Sequence, residues 1–569
     1  MKLNWRAHVM VLTAARLSSL TACAVFATLT VALGPPVSPE GPGIERDIQY
    51  IFVGIGIAAT VLAWWRPLPL AGGWMLVVTG VVLGIGAAGR YSELTALIVA
   101  LAFVVPGVLF LIAGTSGNRL ALQVTYAAAA LVLMVYGAFE AQSRWEAAFG
   151  PAHPQSQLTA ERSDRVEWVW SGGVTSSDAL IVAKLSENSR QARVLLARDD
   201  HQGPGSPTSR YYVPDGDGVV KIRVDGLSPG TLYRYALEVD GEVDTLSRGT
   251  LRAFPAGPSS FSIAVGACAR TGSNGAVFEA IRGEDALFYL ITGDANYENI
   301  TRDDLDRFQG AYQTMLTSPA QSALYRETPI AYVWDDHDFG GSNSAGNSDA
   351  REAARLSYRQ NVPHYALPAG DGNAAIYQAF SAGRVRFVLL DTRSMRNVEE
   401  MSDGGRSLLG VQQREWLKQE LLDASRSHAL VVLVSSVPWI AASSSAGDDW
   451  GGYDSERREI ADFIAANGIV NLMMLAGDAH MLGLDDGSNS DYATNGGAGF
   501  PVMHAAALDR PGSVKGGPYS EGAYPGAGQY GLVTFTDDGE AMTVELRGRN
   551  WKGDEIVSYS FIVPNLVLP

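Results

Sequence analysis

Six apolar runs in the second half of the chain end in side chains that can ligate a metal or move a proton. Phe261-Ser-Ile-Ala-Val-Gly-Ala runs into Cys268. Ala286-Leu-Phe-Tyr-Leu-Ile-Thr-Gly runs into Asp294, with Tyr297 and Glu298 just behind it. Ile330-Ala-Tyr-Val-Trp334 stops at Asp335-Asp-His-Asp338. Val385-Arg-Phe-Val-Leu-Leu stops at Asp391-Thr-Arg393, and Ala429-Leu-Val-Val-Leu-Val at Ser435 and Ser436. Asn471-Leu-Met-Met-Leu-Ala-Gly stops at Asp478-Ala-His480. A single Asp after a strand is ordinarily a cap or a turn residue. Six polar endings that include a thiol, a phenol and two imidazoles ask for more than capping.

The residue types indicate metal chemistry. Carboxylates alone suit Ca²⁺ or Mg²⁺. Imidazole adds affinity for transition metals, and thiolate with phenolate favours a redox ion such as Fe³⁺. A mixture points to two or more ions of different hardness. Two close ions activate a water and hold the attacking and leaving oxygens of an in-line displacement at phosphorus, with no covalent enzyme intermediate. His337 is then a candidate acid for the leaving oxygen, and Arg393 a partner for phosphate oxygens.

Strands and helical segments alternate from Phe261 onward, which predicts an α/β sandwich with these groups at the carboxyl edge of a sheet. From Gln529 to Val563 the pattern alternates like antiparallel strands that close a sheet edge. Residues 160–256 read as a β-sandwich of short alternating runs. Within it, Gly226-Leu-Ser-Pro-Gly-Thr-Leu-Tyr-Arg-Tyr235 is similar to a fibronectin type III pattern, with Leu227 and Tyr233 in the core.

The first 145 residues differ in kind. Five apolar stretches, near 9–33, 48–65, 70–89, 94–114 and 120–139, approach the length that crosses a bilayer. Lys2, Arg6, Arg66 and Arg119 flank one side, which predicts a multi-pass protein of the cytoplasmic membrane with its N-terminus inside and the remainder extracytoplasmic. The lipid bilayer is the partner this implies. A net charge of −17 excludes a non-specific nucleic-acid binder. Two cysteines, Cys23 and Cys268, make no disulfide framework.

Taken together, Gly293-Asp-x-x-Tyr-Glu298, Trp334-Asp-Asp-His-Asp338, Leu390-Asp-Thr-Arg393, Leu409-Gly-Val-Gln-Gln-Arg-Glu-Trp-Leu417 and Gly477-Asp-Ala-His480 resemble the PhoD-like alkaline phosphatase/phosphodiesterase family, within the calcineurin-like metallophosphoesterases. The resemblance implies a metallophosphoesterase-like α/β sandwich over 257–569, preceded by the family's β-sandwich over 160–256. It implies an iron site with Ca²⁺ alongside, other divalent ions being alternatives. Cys268 would ligate iron, Asp294 would bridge ions, and Tyr297 would join them. Asp336 stands where relatives carry the Asn of Gly-Asn-His, and His337 on the phosphate-facing His. Asp478 and His480 stand on the ligands of the last motif. The expected activity is metal-dependent hydrolysis of phosphate monoesters or diesters; the alternative is a non-catalytic membrane receptor that kept the fold.

Overall fold

The computed structural model describes residues 156–158, 163–199, 206–207, 210–398, 406–444, 447–510 and 512–563, with helical stretches inside the first 114 residues. Two compact units divide the chain, Met1–Ala148 and Phe149–Pro569.

The first unit contains the helices Pro69–Ala88 and Glu93–Gly114. They pack through glycine: a Cβ on Gly73 would meet the Gly107 carbonyl oxygen at 2.9 Å, and a Cβ on Gly107 would meet that of Gly73 at 2.7 Å. Leu76, Phe103 and Phe110 are buried beside this contact. Side chains are described over 71–81 of the first helix and 101–111 of the second. Among the described residues no helix is long and apolar enough to cross a membrane. That overturns the expectation of a multi-pass protein with an extracytoplasmic catalytic part. Apolar length in sequence does not separate a helix bathed in lipid from one whose apolar residues are covered by another helix. The stretch 120–139, most of 9–33 and 48–65, and Cys23 lie outside the described residues.

The second unit is built on two large sheets. The nine-stranded sheet runs, in spatial order, Glu555–Val563, Met542–Asn550, Gln529–Asp537, Phe261–Gly266, Tyr289–Ile291, Ile330–Tyr332, Val166–Gly172, Asp178–Leu185 and Val219–Asp225. Its middle strands, Phe261–Gly266, Tyr289–Ile291 and Ile330–Tyr332, are parallel. The three C-terminal strands add antiparallel to Phe261–Gly266 and finish one side, as the alternation in sequence predicts. The seven-stranded sheet runs Gln378–Ala382, Val385–Leu389, Leu430–Ser435, Leu472–Ala476, Val502–Ala505, Met481–Asp485 and Ala523–Pro525. All six apolar runs are therefore strands, but they fall three and three on two sheets rather than on one.

Three strands of the β-module belong to the nine-stranded sheet. Val166–Gly172 pairs parallel with Ile330–Tyr332 at Gly172, where a Cβ would meet the Ile330 carbonyl oxygen at 2.5 Å. The module's other sheet holds Ser206–Pro207, Ala192–Arg198, Leu232–Val239, Glu242–Val243 and Gly249–Arg252. Leu227 and Tyr233 are buried, as the fibronectin-like pattern predicts. Trp170 fills the seam: it packs on Tyr312 and Tyr325, and its indole N–H donates to the Asn361 carbonyl at 2.8 Å. Phe288 stacks edge-on against Phe380 and Phe387, which joins the two large sheets. Each such fully buried ring contributes roughly 2–3 kcal/mol.

Candidate metal centre

The ends of the two sheets meet through glycine. Gly293, at φ 119°, follows the strand Tyr289–Ile291; a Cβ there would strike Asp335 Cβ at 2.6 Å. Gly477, after the strand Leu472–Ala476, lets that strand end approach the Thr292 carbonyl, which a Cβ would meet at 2.4 Å. Four residues just past these strand ends hold left-handed backbone: Cys268 (φ 63°), Asp294 (φ 53°), Asp478 (φ 63°) and His480 (φ 49°). Such a conformation costs an ordinary residue on the order of 1–3 kcal/mol. Four strained residues in one place turn their side chains inward against a local preference, and the packing around them must hold them there.

Two donor groups result. Cys268, Asp294 and His480 offer ligand atoms within 4.8 Å of one another, and so do Asp294, Asp336 and His337. Asp294 is common to both. Its Oδ2 accepts from the Tyr297 hydroxyl at 2.8 Å and lies 3.7 Å from the Cys268 thiol; its Oδ1 accepts from the His337 backbone N–H at 3.2 Å. The Tyr297 hydroxyl is also 3.1 Å from His480 Nε2. The four-residue helix Asp336–Phe339 aims Asp336 and His337. Asp336 accepts from the backbone N–H groups of His337 at 2.9 Å and Asn343 at 2.5 Å. His337 stacks on Tyr297 with ring centroids 4.0 Å apart, and its Nδ1 lies 2.5 Å from Asn299 Oδ1. Asp478 stands in neither group and accepts from Lys515 Nζ at 2.7 Å.

Electrostatics mark the same place. Burial holds the Asp294 carboxyl well above its ordinary range, and Asp336, Asp335 and Asp338 push it further. Burial likewise raises the Cys268 thiol, with Asp294 and Asp478 adding to the effect. Asp335 is fully buried; its Oδ2 makes no hydrogen bond, and burial lifts its carboxyl to about 8 against the pull of Arg393. A cation relieves each of these costs at once, and thiol, phenol, imidazole and carboxylate are metal donors. The residues present fit a two-ion centre.

Arg393 lies differently from its expected place against phosphate. It is fully buried. Its Nε donates to Asp335 at 2.5 Å, Nη1 and Nη2 donate to Asp448 at 3.1 Å each, and Nη2 lies 3.9 Å from Asp336. Burial works against its charge, but these carboxylates outweigh it and raise its pKa. Arg396 grips the same Asp448. Two other strand-end groups are structural. Asp391 accepts from Trp334 Nε1 and from the N–H groups of Arg393, Ser394 and Ile376, while Gln413 brackets its backbone. Ser435 bonds the Val437 carbonyl and the Trp450 indole. Asp338 accepts from Ala295, Asn296 and Asp335 and fixes the loop behind Asp294.

The sequence reading placed Asp335 at this strand end without giving it a role, and it missed Asn299 and Lys515 as parts of this site. Asp335 was legible as a neighbour of Asp336; Asn299 and Lys515 stand in loops where nothing in the spacing marks them. Arg510, also missed, lies over the Tyr297 ring at 4.2 Å. His364 and His504 stand outside both donor groups, and burial lowers each to about 4.

Residues 263–502 match the family model of PhoD-like phosphatases. A solved structure of PhoD is similar at a TM-score of 0.57 and 18% identity, over 71% of this chain and 91% of that one. A purple acid phosphatase from yellow lupin (Lupinus luteus) seeds aligns over 69% of this chain and 73% of its own at 12% identity, with a TM-score of 0.49. The uncharacterized protein Rv2577 of Mycobacterium tuberculosis is 27% identical over 289 residues, which cover 44% of this chain and 50% of that protein. The chain thus spans about half the length of the curated relatives it matches. At 18% identity the likeness to PhoD shows the fold alone, a mixed α/β unit.

Proposed function

We propose that the chain is a metal-dependent hydrolase of phosphate esters, with Cys268, Asp294, Tyr297, Asp336, Asp478 and His480 as its ligand set. The observation that carries this reading is Asp294, which stands in two donor groups that each close within 4.8 Å. Thiol and phenol on one side favour iron; the carboxylates on the other favour a harder ion such as Ca²⁺, and other divalent ions suit the same donors. Bound there, metal ions supply a nucleophilic water at neutral pH and offset charge on phosphate.

The chain's own groups do the rest. Asn299 holds His337 Nδ1 and Tyr297 stacks on the ring, so proton transfer to the leaving oxygen falls to Nε2. Arg393 is a positioning residue: it holds Asp335 and Asp448, and it reaches Asp336 from behind. Tyr297 ties Asp294 to His480 and keeps both turned inward.

The test is elemental analysis of chelator-free protein beside hydrolysis of p-nitrophenyl phosphate and bis-p-nitrophenyl phosphate. Iron with calcium and turnover is the expected result. Zinc or manganese with turnover keeps the hydrolase and removes iron. Protein without metal or turnover after reconstitution sinks the hydrolase and favours a binding protein that kept the fold.

A further inference from the structure

The helix Arg351–Asn361 carries Arg351, Arg355 and Arg359 at intervals of four, which puts them on one face. Like charges at that spacing repel, and neighbouring acids ordinarily offset them. Here, among the described residues, none of the three forms an ion pair with a carboxylate. Their guanidinium groups rest on neutral oxygens: Arg351 Nη1 on Ser348 O at 2.9 Å, Arg355 Nη2 on Ser394 O at 2.9 Å, and Arg359 Nη2 on Ala374 O at 2.7 Å. In a chain of net charge −17, three arginines on one helix face without a close carboxylate pair run against the composition.

Two of the three open onto a cavity of about 390 Å³, which Arg396, Asn347, Ser394 and Gly346 also line. Three of its nine lining residues are arginine and none is acidic. Gly346 keeps the wall close, since a Cβ there would meet the Ser394 carbonyl oxygen at 2.7 Å. No residue of the two donor groups lines the cavity, but its lining residues and their neighbours touch the elements that carry them. Arg355 lies 5.8 Å from the Phe339 ring, at the end of the helix that Asp336 begins. Ser344, two residues before Gly346, donates to the Asp336 carbonyl at 2.9 Å. Ser394 and Arg396 follow Arg393 within three residues, and Arg396 shares Asp448 with it.

We infer that this cavity is a second anion subsite, which takes a further phosphate group carried on the leaving-group side of the substrate. The inference rests on the phosphate-ester reading above and names its substrate class, esters that bear a second phosphate. Guanidinium forks match the oxygens of phosphate, and such charge-assisted hydrogen bonds are the strong ones.

Hexyl phosphate and 1,6-hexanediol bisphosphate differ only in the distal phosphate. With the metal-loaded chain, KM for the bisphosphate is expected to be about tenfold lower, the ratio one charge-assisted contact supplies. Arg351→Gln removes that difference and leaves kcat/KM for hexyl phosphate unchanged; Arg351→Glu makes the bisphosphate the poorer substrate. Equal KM values in the unmodified chain, or a preference that survives both substitutions, overturn the subsite. If neither compound is hydrolysed, the hydrolase reading has failed separately, and calorimetric titration with inorganic phosphate then reads the cavity. Phosphate binding that Arg351→Glu weakens keeps the subsite, and binding that it leaves unchanged removes it.

Discussion

Two neighbouring groups of buried and half-buried carboxylates are held by opposite means. Asp335 and Asp448 face Arg393, with Arg396 adding to the second. Burial alone would raise Asp448, yet the two arginines bring it down to about 2. Among the described residues Asp294 has no such fixed cation: thiol, phenol, imidazole and further acids surround it, and its carboxyl stays far above the ordinary range. Taking charges out of water is costly in either case. Where arginine reaches, the acids are structural; where thiol, imidazole and carboxylate stand close together, the donors fit a metal ion. Asp335 lies between these two solutions, one oxygen on Arg393 and Ser436 and the other without a hydrogen bond.

The largest effect is expected from Asp294→Asn, which removes the ligand common to both donor groups. Activity should fall about a thousandfold or more, as for residues that act as a unit, and metal content should drop in elemental analysis. Chelated variant should unfold no earlier than chelated parent, because the substitution removes a carboxyl whose ionisation burial and the neighbouring acids already disfavour. Normal turnover in this variant would sink the metal-centre assignment.

Arg393→Ala attacks the other solution. It strands the buried Asp335, while Arg396 still holds the half-buried Asp448, and breaking a buried pair costs about 3–5 kcal/mol, readable as a lower urea midpoint. Arg393→Lys keeps the charge but not the fork and should recover only part of this. A neutral result would mean the guanidinium is not what holds these acids.

Asn299→Ala leaves both charge groups intact and frees only the orientation of His337. A roughly 10–100-fold loss of turnover is expected, the usual weight of a group that orients a site residue, with metal content unchanged. Loss of metal instead would make Asn299 part of the fold of the centre.

Asp448→Asn gives the smallest effect, a loss of stability that is present at neutral pH and vanishes in acid. The folded pKa of about 2 lies below the ordinary 3.8. Its contribution is therefore complete above pH 3.8 and disappears as pH falls through 2, on the order of 2 kcal/mol by linkage. The stability gap between parent and variant should close over that window in acid titrations followed by circular dichroism. A gap that stays constant to pH 2 would contradict the depressed pKa.

The six strands were legible because buried parallel strands are continuous apolar runs with abrupt polar ends, as Ile330–Trp334 shows before Asp335. Cys268, Asp294, Tyr297, Asp336, His337 and His480 were legible by residue type, and the structure brings these six together. The backbone strain at Cys268, Asp294 and His480 was not, since these residue types do not announce positive φ as glycine does. The apolar first block misled: its residues gave a bilayer reading that the described helices do not support.

What sequence alone determined is the local grammar: where strands run, where they stop, and which donors stand at their ends. Tertiary structure decided the rest. It split the six strands between two sheets, joined the β-module to one of them at Gly172, turned Arg393 inward onto acids, and set Asn299 and Lys515 against residues far away in the chain. The physical reason is range. A strand and its end are fixed by neighbours within a few residues, whereas the charge balance of a buried site depends on which distant cation packing allows to reach it.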